Sequence, residues 1–284
     1  MDKSFPITIL MPLKNYYLKY LEKSLNSVFY QTSYNWELLI IIEEDDKKNF
    51  QEILQSYLID SRINLIDNKG CKLAGAINTG MKKASTEFVT ILLGDDMLAK
   101  NAIEVLQKEI VENPLVDFFH SSRLMIDEED RPISSIYYSR ENFSAADFLD
   151  GSPVKHLLCW RRIKALSFGG LDESLNSVGP DDYDFPWTML EQGARFKAIK
   201  DCLYFYRDHR DSFRLTTHLT LDTHVGEITR ILKKHGIDDD TINGYIAKSK
   251  QSFLRQCLYK SDLDKWLKEK IGFKPKWGWR EPYQ

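Results

Sequence analysis

Two patterns of apolar residues alternate along the first hundred positions of the chain, one typical of buried strands and one typical of helices. Short apolar runs typical of buried strands occur at residues 7–13, 37–42, 63–67 and 88–93. The segments between them have helical spacing, as in Leu18, Leu21, Leu25 and Val28. Strands that are apolar on both faces and separated by helices predict a mostly parallel sheet covered by helices on each side. The pattern therefore predicts an α/β fold.

The second half departs from this alternation. Residues 102–114 predict a helix that ends at Asn113, before a proline. Residues 117–127 and 133–139 resemble the two arms of a β-hairpin. From about residue 215 the pattern is mostly helical, with Gly236 as a C-terminal cap of one helix. We therefore predict one large domain, 1–214, and a helical C-terminal extension, 215–284.

Composition and charge exclude several classes of protein. The chain has 284 residues, 29% charged residues and a formal net charge of −3, which is ordinary for a globular protein and unlike a nucleic-acid-coating one. The four cysteines contain no CxxC pair, and no secretory leader precedes the first strand. No apolar run approaches the roughly 18 residues that span a bilayer. We expect a cytoplasmic protein without nucleic-acid partners, whose membrane contact, if it has one, is peripheral.

Polar residues follow the predicted strands at the edge where open α/β sheets bind ligands. These residues are Asn15, Glu43 and the adjacent pair Asp95 and Asp96. Carboxylate oxygens suit Mg²⁺ or Mn²⁺, so the GDD sequence at residues 94–96 is a candidate metal site. The alternative is an aspartate-rich turn that caps the next helix.

Eight short motifs occur in a fixed order along the chain. They read MPLKN, EEDD, NKG, AGAINTG, GDD, GGLDE, PDDYDFPW and YRDHRDS. In these motifs, over residues 5–215, the chain resembles the family 2 glycosyltransferases, nucleotide-sugar enzymes with the GT-A fold. The resemblance implies an inverting transferase, with a nucleotide-binding half at 1–100 and an acceptor half at 101–214.

The resemblance also implies roles for individual residues. Asp96 aligns with the aspartate that holds a Mn²⁺ or Mg²⁺ ion against the donor diphosphate. Its neighbour Asp95 aligns with a contact to the donor ribose or sugar. The remaining donor contacts are expected from Pro12, Asn15, Glu43, Lys72 and Asn78.

For catalysis, the resemblance places the general base at Asp182, in PDDYDFPW. Asp181 and Asp184 compete for this role, because acidic residues at a helix start also interact favourably with the helix dipole. His209, in YRDHRDS, is expected to bind the same metal ion or a phosphate oxygen, although a lone histidine is often structural.

Three departures from the family pattern affect the donor site. Leu93 replaces the first aspartate of a full D-x-D-D motif, Lys14 stands where many relatives have a base-stacking tyrosine, and Glu43 replaces an aspartate. Tyr16 or Tyr17 could supply the stacking. UDP is the nucleotide that we expect first.

Two alternatives remain open at this stage: a nucleotidyltransferase, and a non-catalytic nucleotide-sugar binding module of the same fold. The glycine-rich phosphate loop of a nucleotidyltransferase is missing after the first strand. The expected acceptor is a glycan, glycolipid or protein. The aromatic and basic residues near the C-terminus, including Trp266, Trp277 and Trp279, suit an acceptor lid, peripheral membrane contact or a homodimer contact.

Overall fold

A computed structural model describes residues 5–14, 16–175, 178–208 and 221–248. Eight strands of these residues form one sheet in the order β3-β2-β1-β4-β7-β6-β8-β5. The strands are β1 (Ile7–Pro12), β2 (Trp36–Ile42), β3 (Ile63–Asp67), β4 (Phe88–Ile91), β5 (Met97–Leu98), β6 (Phe118–Ile126), β7 (Leu158–Arg161) and β8 (Phe196–Arg207). The helices of the described residues include α1 (Leu18–Phe29), α2 (Lys47–Ile53), α3 (Lys72–Lys83), α4 (Ala102–Glu112), α5 (Arg162–Ser167), α6 (Phe185–Glu191) and α7 (Leu221–Lys234).

The first half of the sheet is parallel, as the apolar pattern predicts. β1 pairs in parallel with β2 and β4, and β2 pairs in parallel with β3. Almost every residue of β1, β2 and β4 is buried, because helices cover both faces of the sheet. The carboxyl ends of these strands therefore meet along one edge, where the candidate donor residues lie.

The second half of the sheet is mixed. β7 lies between β4 and β6 and is antiparallel to both. β8 is parallel to β6, and the two-residue β5 is antiparallel to β8. The predicted hairpin is present only as a turn after β6, with isolated bridges from Arg123 to Tyr137 and from Ile126 to Pro132. Most of the second arm lies outside any strand, because β7 and β8 occupy the two edges of β6.

The chain divides into two compact units, Met1–Phe213 and Arg214–Gln284. In the described part of the second unit, Ile228, Ile231 and Leu232 on α7 are buried, at the spacing expected of one helix face. Gly236 follows α7 with a φ of 70°, as a C-terminal cap requires. The tryptophans near the C-terminus lie outside the described residues. No described helix combines the length and the hydropathy needed to cross a membrane.

Candidate active site

Glu43 lies at the edge formed by the strand ends. It directly follows β2, is partly exposed, and accepts a 3.0 Å hydrogen bond from the Asn68 side-chain amide. The Asn68 side-chain oxygen Oδ1 in turn accepts hydrogen bonds from the Gly70 N–H and the Thr79 hydroxyl, at 2.9 and 3.2 Å. Hydrogen bonds thus connect the residues after β2 and β3 to α3. Pro12 ends β1 beside Ile41 of β2, whereas Asn15 is outside the described residues.

The start of α3 is capped by the GGLDE segment. The Glu173 carboxylate accepts hydrogen bonds from the Cys71 N–H and the Asn78 amide, at 2.8 and 2.9 Å. A carboxylate at this position also interacts favourably with the positive end of the helix dipole. Lys72, the first helical residue, is exposed and has a left-handed φ of 59°. Such a conformation is uncommon for a residue with a side chain.

Asn78 has a structural role in this arrangement. Its side chain is buried, and its amide also exchanges 2.9 Å hydrogen bonds with the backbone of Leu171. Both ends of the amide are therefore engaged with the GGLDE segment, and contact of Asn78 with a nucleoside stays a prediction. Tyr16 packs on Phe50 with ring centroids 4.9 Å apart, whereas Tyr17 is 38% exposed.

The two aspartates of the GDD sequence differ in accessibility. Asp96 is only 1% exposed, and its two oxygens accept 2.7 Å hydrogen bonds from the Tyr204 hydroxyl and the Arg207 N–H. Burial and the adjacent Asp95 carboxylate raise the pKa of Asp96 to about 7. Asp95 is partly exposed. Asp96 therefore holds β8 against the loop after β4, and Asp95 is the more accessible carboxylate.

Tyr204 links the GDD loop to the second acidic motif. Its hydroxyl binds Asp96, and its ring stacks on His156 with centroids 5.1 Å apart. The His156 Nε2 lies 3.2 Å from a carboxylate oxygen of Asp181, and both residues are buried. A continuous chain of contacts thus runs from Asp96 through Tyr204 and His156 to Asp181.

Asp182 is the accessible carboxylate of the second motif. Residues Pro180–Asp184 form a π-helical turn that leads into α6. Asp181 and Asp184 are buried, whereas Asp182 is only partly buried. Burial and the Asp181 carboxylate raise the pKa of Asp182, while the charges of His156, Arg123 and Lys155 oppose this shift.

Arg207 fixes the loop after β4 from the other side. Its Nε donates a 2.8 Å hydrogen bond to the Asp95 carbonyl oxygen, and its Nη1 bonds the Asp127 carbonyl oxygen at 2.7 Å and a carboxylate oxygen of Asp130 at 2.6 Å. The guanidinium also lies over the Tyr20 ring. Arg207 is thus a structural residue of the YRDHRDS motif, whereas His209 lies outside the described residues.

A divalent cation at this edge would need several oxygen ligands. Among the described residues, no three acidic, histidine or cysteine side chains are grouped so that they could hold an ion. Mg²⁺ in nucleotide enzymes is commonly bound by one or two carboxylates, with phosphate oxygens and water completing its shell. Asp95 and Asp96 fit this second kind of site. The assignment of the ion to Asp96 stays a prediction.

Comparison with known proteins identifies the class of this protein. The chain matches the profile of "Glycosyl transferase family 2" over residues 8–162. It is 26% identical to an uncharacterized glycosyltransferase of Methanocaldococcus jannaschii, over 79% of this chain and 80% of that protein. It spans only 18–21% of three longer Rickettsia glycosyltransferases.

Two further comparisons concern a named enzyme and a solved structure. The chain is 34% identical to the Escherichia coli UDP-Glc:alpha-D-GlcNAc-diphosphoundecaprenol beta-1,3-glucosyltransferase WfgD, over 38% of this chain and 42% of that protein. The crystal structure of S. aureus TarS 1-349 in complex with UDP-GlcNAc superposes with a TM-score of 0.61 at 15% identity, covering 93% of this chain and 76% of that one.

The chain belongs to glycosyltransferase family 2. The family and the GT-A fold expected from the ordered motifs are confirmed. The class of enzyme, a glycosyltransferase, is confirmed with them.

The sequence motifs pointed to some parts of this site and missed others. Tyr204 and His156, which connect the two acidic motifs, lie within or beside strand-like segments with no motif of their own. Glu173 lies in the GGLDE motif, which had no assigned role. The signal for Glu173 was therefore present, whereas the contact between Tyr204 and His156 joins residues 48 positions apart and has no local signature.

Proposed function

We propose that this protein is an inverting glycosyltransferase that moves a sugar from a UDP-sugar to a hydroxyl of a glycan, glycolipid or protein acceptor. The observation that carries the proposal is the chain of contacts from Asp96 through Tyr204 and His156 to Asp181. It holds two acidic motifs, far apart in sequence, next to each other. One accessible carboxylate belongs to each motif, Asp95 to the first and Asp182 to the second.

The donor is proposed to lie along the ends of β1, β2 and β4. Glu43 accepts hydrogen bonds from the nucleoside, held in place by Asn68, and Pro12 and Lys72 border the same edge. A Mn²⁺ or Mg²⁺ ion at Asp95 and Asp96 would neutralise charge on the departing diphosphate. A UDP-sugar is favoured because WfgD is named for UDP-Glc and TarS was crystallised with UDP-GlcNAc.

Asp182 is proposed to act as the general base. The acceptor oxygen attacks the anomeric carbon, the bond from that carbon to the diphosphate oxygen breaks, and the acceptor proton moves to Asp182. Attack opposite the leaving group inverts the anomeric configuration. Asp181 is occupied by His156 and Asp184 is buried, so neither has the access that an acceptor hydroxyl requires.

The donor half of the proposal is tested by calorimetry of UDP binding with and without Mn²⁺. We expect the ion to strengthen binding to the wild type, and Asp95→Asn and Asp96→Asn to reduce this effect. A larger loss in the Asp95 variant would identify Asp95 as the direct ligand, and a larger loss in the Asp96 variant would confirm the prediction that Asp96 binds the ion. Equal affinity in every case would refute metal-assisted donor binding.

The catalytic half is tested with Asp182→Asn. This variant should bind UDP normally but lose on the order of a hundredfold to ten-thousandfold in turnover, measured as UDP released from a UDP-sugar. Asp184→Asn is the matched control, and we expect this variant to lose stability and not turnover. A wild type that binds UDP and never turns over would instead be a binding module. Retained configuration at the product's anomeric carbon, seen by NMR, would exclude inversion.

A further inference from the structure

Arg123 is a partly buried cation beside the second acidic motif. It lies near the end of β6, opposite Tyr204 in the pairing with β8. Its guanidinium lies 5.1 Å from the ring centroid of Tyr206 and 5.9 Å from that of Tyr137. The Arg123 Nε is buried and has no hydrogen-bond acceptor among the described residues. The two rings thus hold the guanidinium in place, yet one of its donors has no acceptor within the part of the chain that the structure describes.

Lys155 is a second cation in the same region. It precedes His156, the residue that contacts Asp181, and its ammonium group donates a 2.8 Å hydrogen bond to the Ser152 carbonyl oxygen. Burial and the charge of Arg123 lower the pKa of Lys155, whereas the charge of Asp182 raises it. Each cation therefore acts electrostatically on the other and on Asp182.

Neither cation has an ion-pair partner in the part of the chain that the structure describes. Several other partly buried cations of the same unit are paired with a carboxylate, as Lys23 is with Asp130 and Lys164 with Asp117. Partly desolvating two neighbouring cations without a carboxylate at contact distance is unfavourable. A substrate that carries an anion would relieve this cost, and an arginine guanidinium matches phosphate and carboxylate oxygens in geometry.

We propose that Arg123 and Lys155 bind an anionic group of the acceptor, a phosphate ester or a carboxylate, next to the hydroxyl that Asp182 deprotonates. The inference rests on the proposed function, since Asp182 defines the acceptor side. The donor residues follow β1, β2 and β4, whereas these two cations come from β6 and from the segment before β7. The acceptor class is therefore an acidic glycan or a phosphate-linked sugar.

The test measures acceptor binding on the full chain saturated with UDP and Mn²⁺, so that the donor site is already filled. The calorimetric probes are N-acetylglucosamine 1-phosphate, methyl glucuronide and the neutral methyl N-acetylglucosaminide. At least one anionic probe should bind about tenfold or more tightly than the neutral one. Comparison of the phosphate probe with the carboxylate probe identifies which anion the site binds.

Variants connect this preference to the two cations. Arg123→Gln and Lys155→Gln should each remove most of the preference, while Arg123→Lys should keep part of it. Lys108→Gln, on an exposed part of α4, is the matched control and should behave like the wild type. UDP affinity, measured in parallel, should stay unchanged in all four variants, and a cooperative melting transition in each shows that the variant is folded.

Three results would overturn the inference. These are equal binding of anionic and neutral probes to the wild type, an unchanged preference in both glutamine variants, and loss of UDP affinity in those variants. The third result would assign the cations to the donor diphosphate. If wild-type protein binds no UDP, the proposed function itself fails, and that outcome is visible before any acceptor probe is added.

Discussion

At the scale of single residues, neighbouring carboxylates differ in burial and in their hydrogen-bond partners. Asp181 and Asp182 are adjacent in sequence, but the first is buried against His156 and the second is partly exposed. Asp96 is bound by Tyr204 and the backbone of β8, whereas Asp95 is the more accessible of its pair. In both motifs one aspartate is buried and its neighbour is the more exposed of the two.

The raised pKa of Asp182 predicts a pH dependence of catalysis. Only the deprotonated carboxylate acts as a base. Activity should therefore be lost as the pH falls through the raised pKa of Asp182, which lies above the ordinary aspartate value of about 4. Lys155→Met removes a charge that lowers the pKa of Asp182, so the acidic limb should move to higher pH. The measurement is kcat/KM against pH.

The control for this experiment is Lys108→Met, which should leave the pH profile of the wild type unchanged. An acidic limb in the ordinary carboxyl range, unaffected by Lys155→Met, would contradict a catalytic role for a carboxylate in this environment.

At the scale of elements, the start of α3 packs unusually closely against the preceding loop. A Cβ on Gly75 would lie 2.4 Å from the Gly70 carbonyl carbon, which is backbone and cannot swing away. The Glu173 carboxylate lies on the same pair of glycines and binds the Cys71 N–H. The helix start and the GGLDE segment therefore form one packed unit at the edge of the donor site.

Gly75→Ala should destabilise the protein by about 1–3 kcal/mol, because the added methyl group forces the loop and α3 apart. Urea denaturation measures the loss. Gly226→Ala on α7 is a matched helical control, since a Cβ there meets nothing within 4 Å. The control should be neutral or stabilising by up to about 1 kcal/mol, because alanine is the better helix former. Equal stability of the two variants would show that the close contact at Gly75 carries no energetic weight.

At the scale of the whole sheet unit, Arg207 joins parts of the chain that are distant in sequence. From the end of β8 it contacts the loop after β4 through the Asp95 carbonyl oxygen, and the turn after β6 through Asp127 and Asp130. It also lies over Tyr20 of α1. These contacts hold the loop that carries Asp95 and Asp96 against the turn after β6 and against α1, so the geometry of that loop depends on a buried arginine.

Arg207→Met should lower the free energy of unfolding by on the order of 2 kcal/mol or more, because several hydrogen bonds to a buried charge are lost. Arg131→Met is the control: this arginine binds Asp127 in the same turn but is 73% exposed. An exposed pair contributes about 0–1 kcal/mol. Similar losses in both variants, by urea denaturation, would show that the buried position of Arg207 adds nothing.

Local patterns along the chain were enough to predict the parallel half of the sheet and the family. Apolar runs and helical spacing depend only on near neighbours, so β1 to β4 and the helices between them follow directly from sequence. The ordered motifs indicated the family for a similar reason, since each is a short contiguous segment and most lie at the end of a strand or the start of a helix. The mixed half was less predictable, because the position of β7 between β4 and β6 depends on contacts between distant segments.

The accessibility of each aspartate was decided only by the tertiary structure. Asp95 and Asp96 are equivalent as sequence, yet β8 supplies Tyr204 and the Arg207 N–H to only one of them. Likewise, His156 reaches Asp181 and Tyr204 only because β7 and β8 flank β6. Burial and hydrogen bonding arise between residues that the chain separates by tens to more than a hundred positions. Sequence therefore supplied the acidic groups, and long-range packing determined which of them remain accessible.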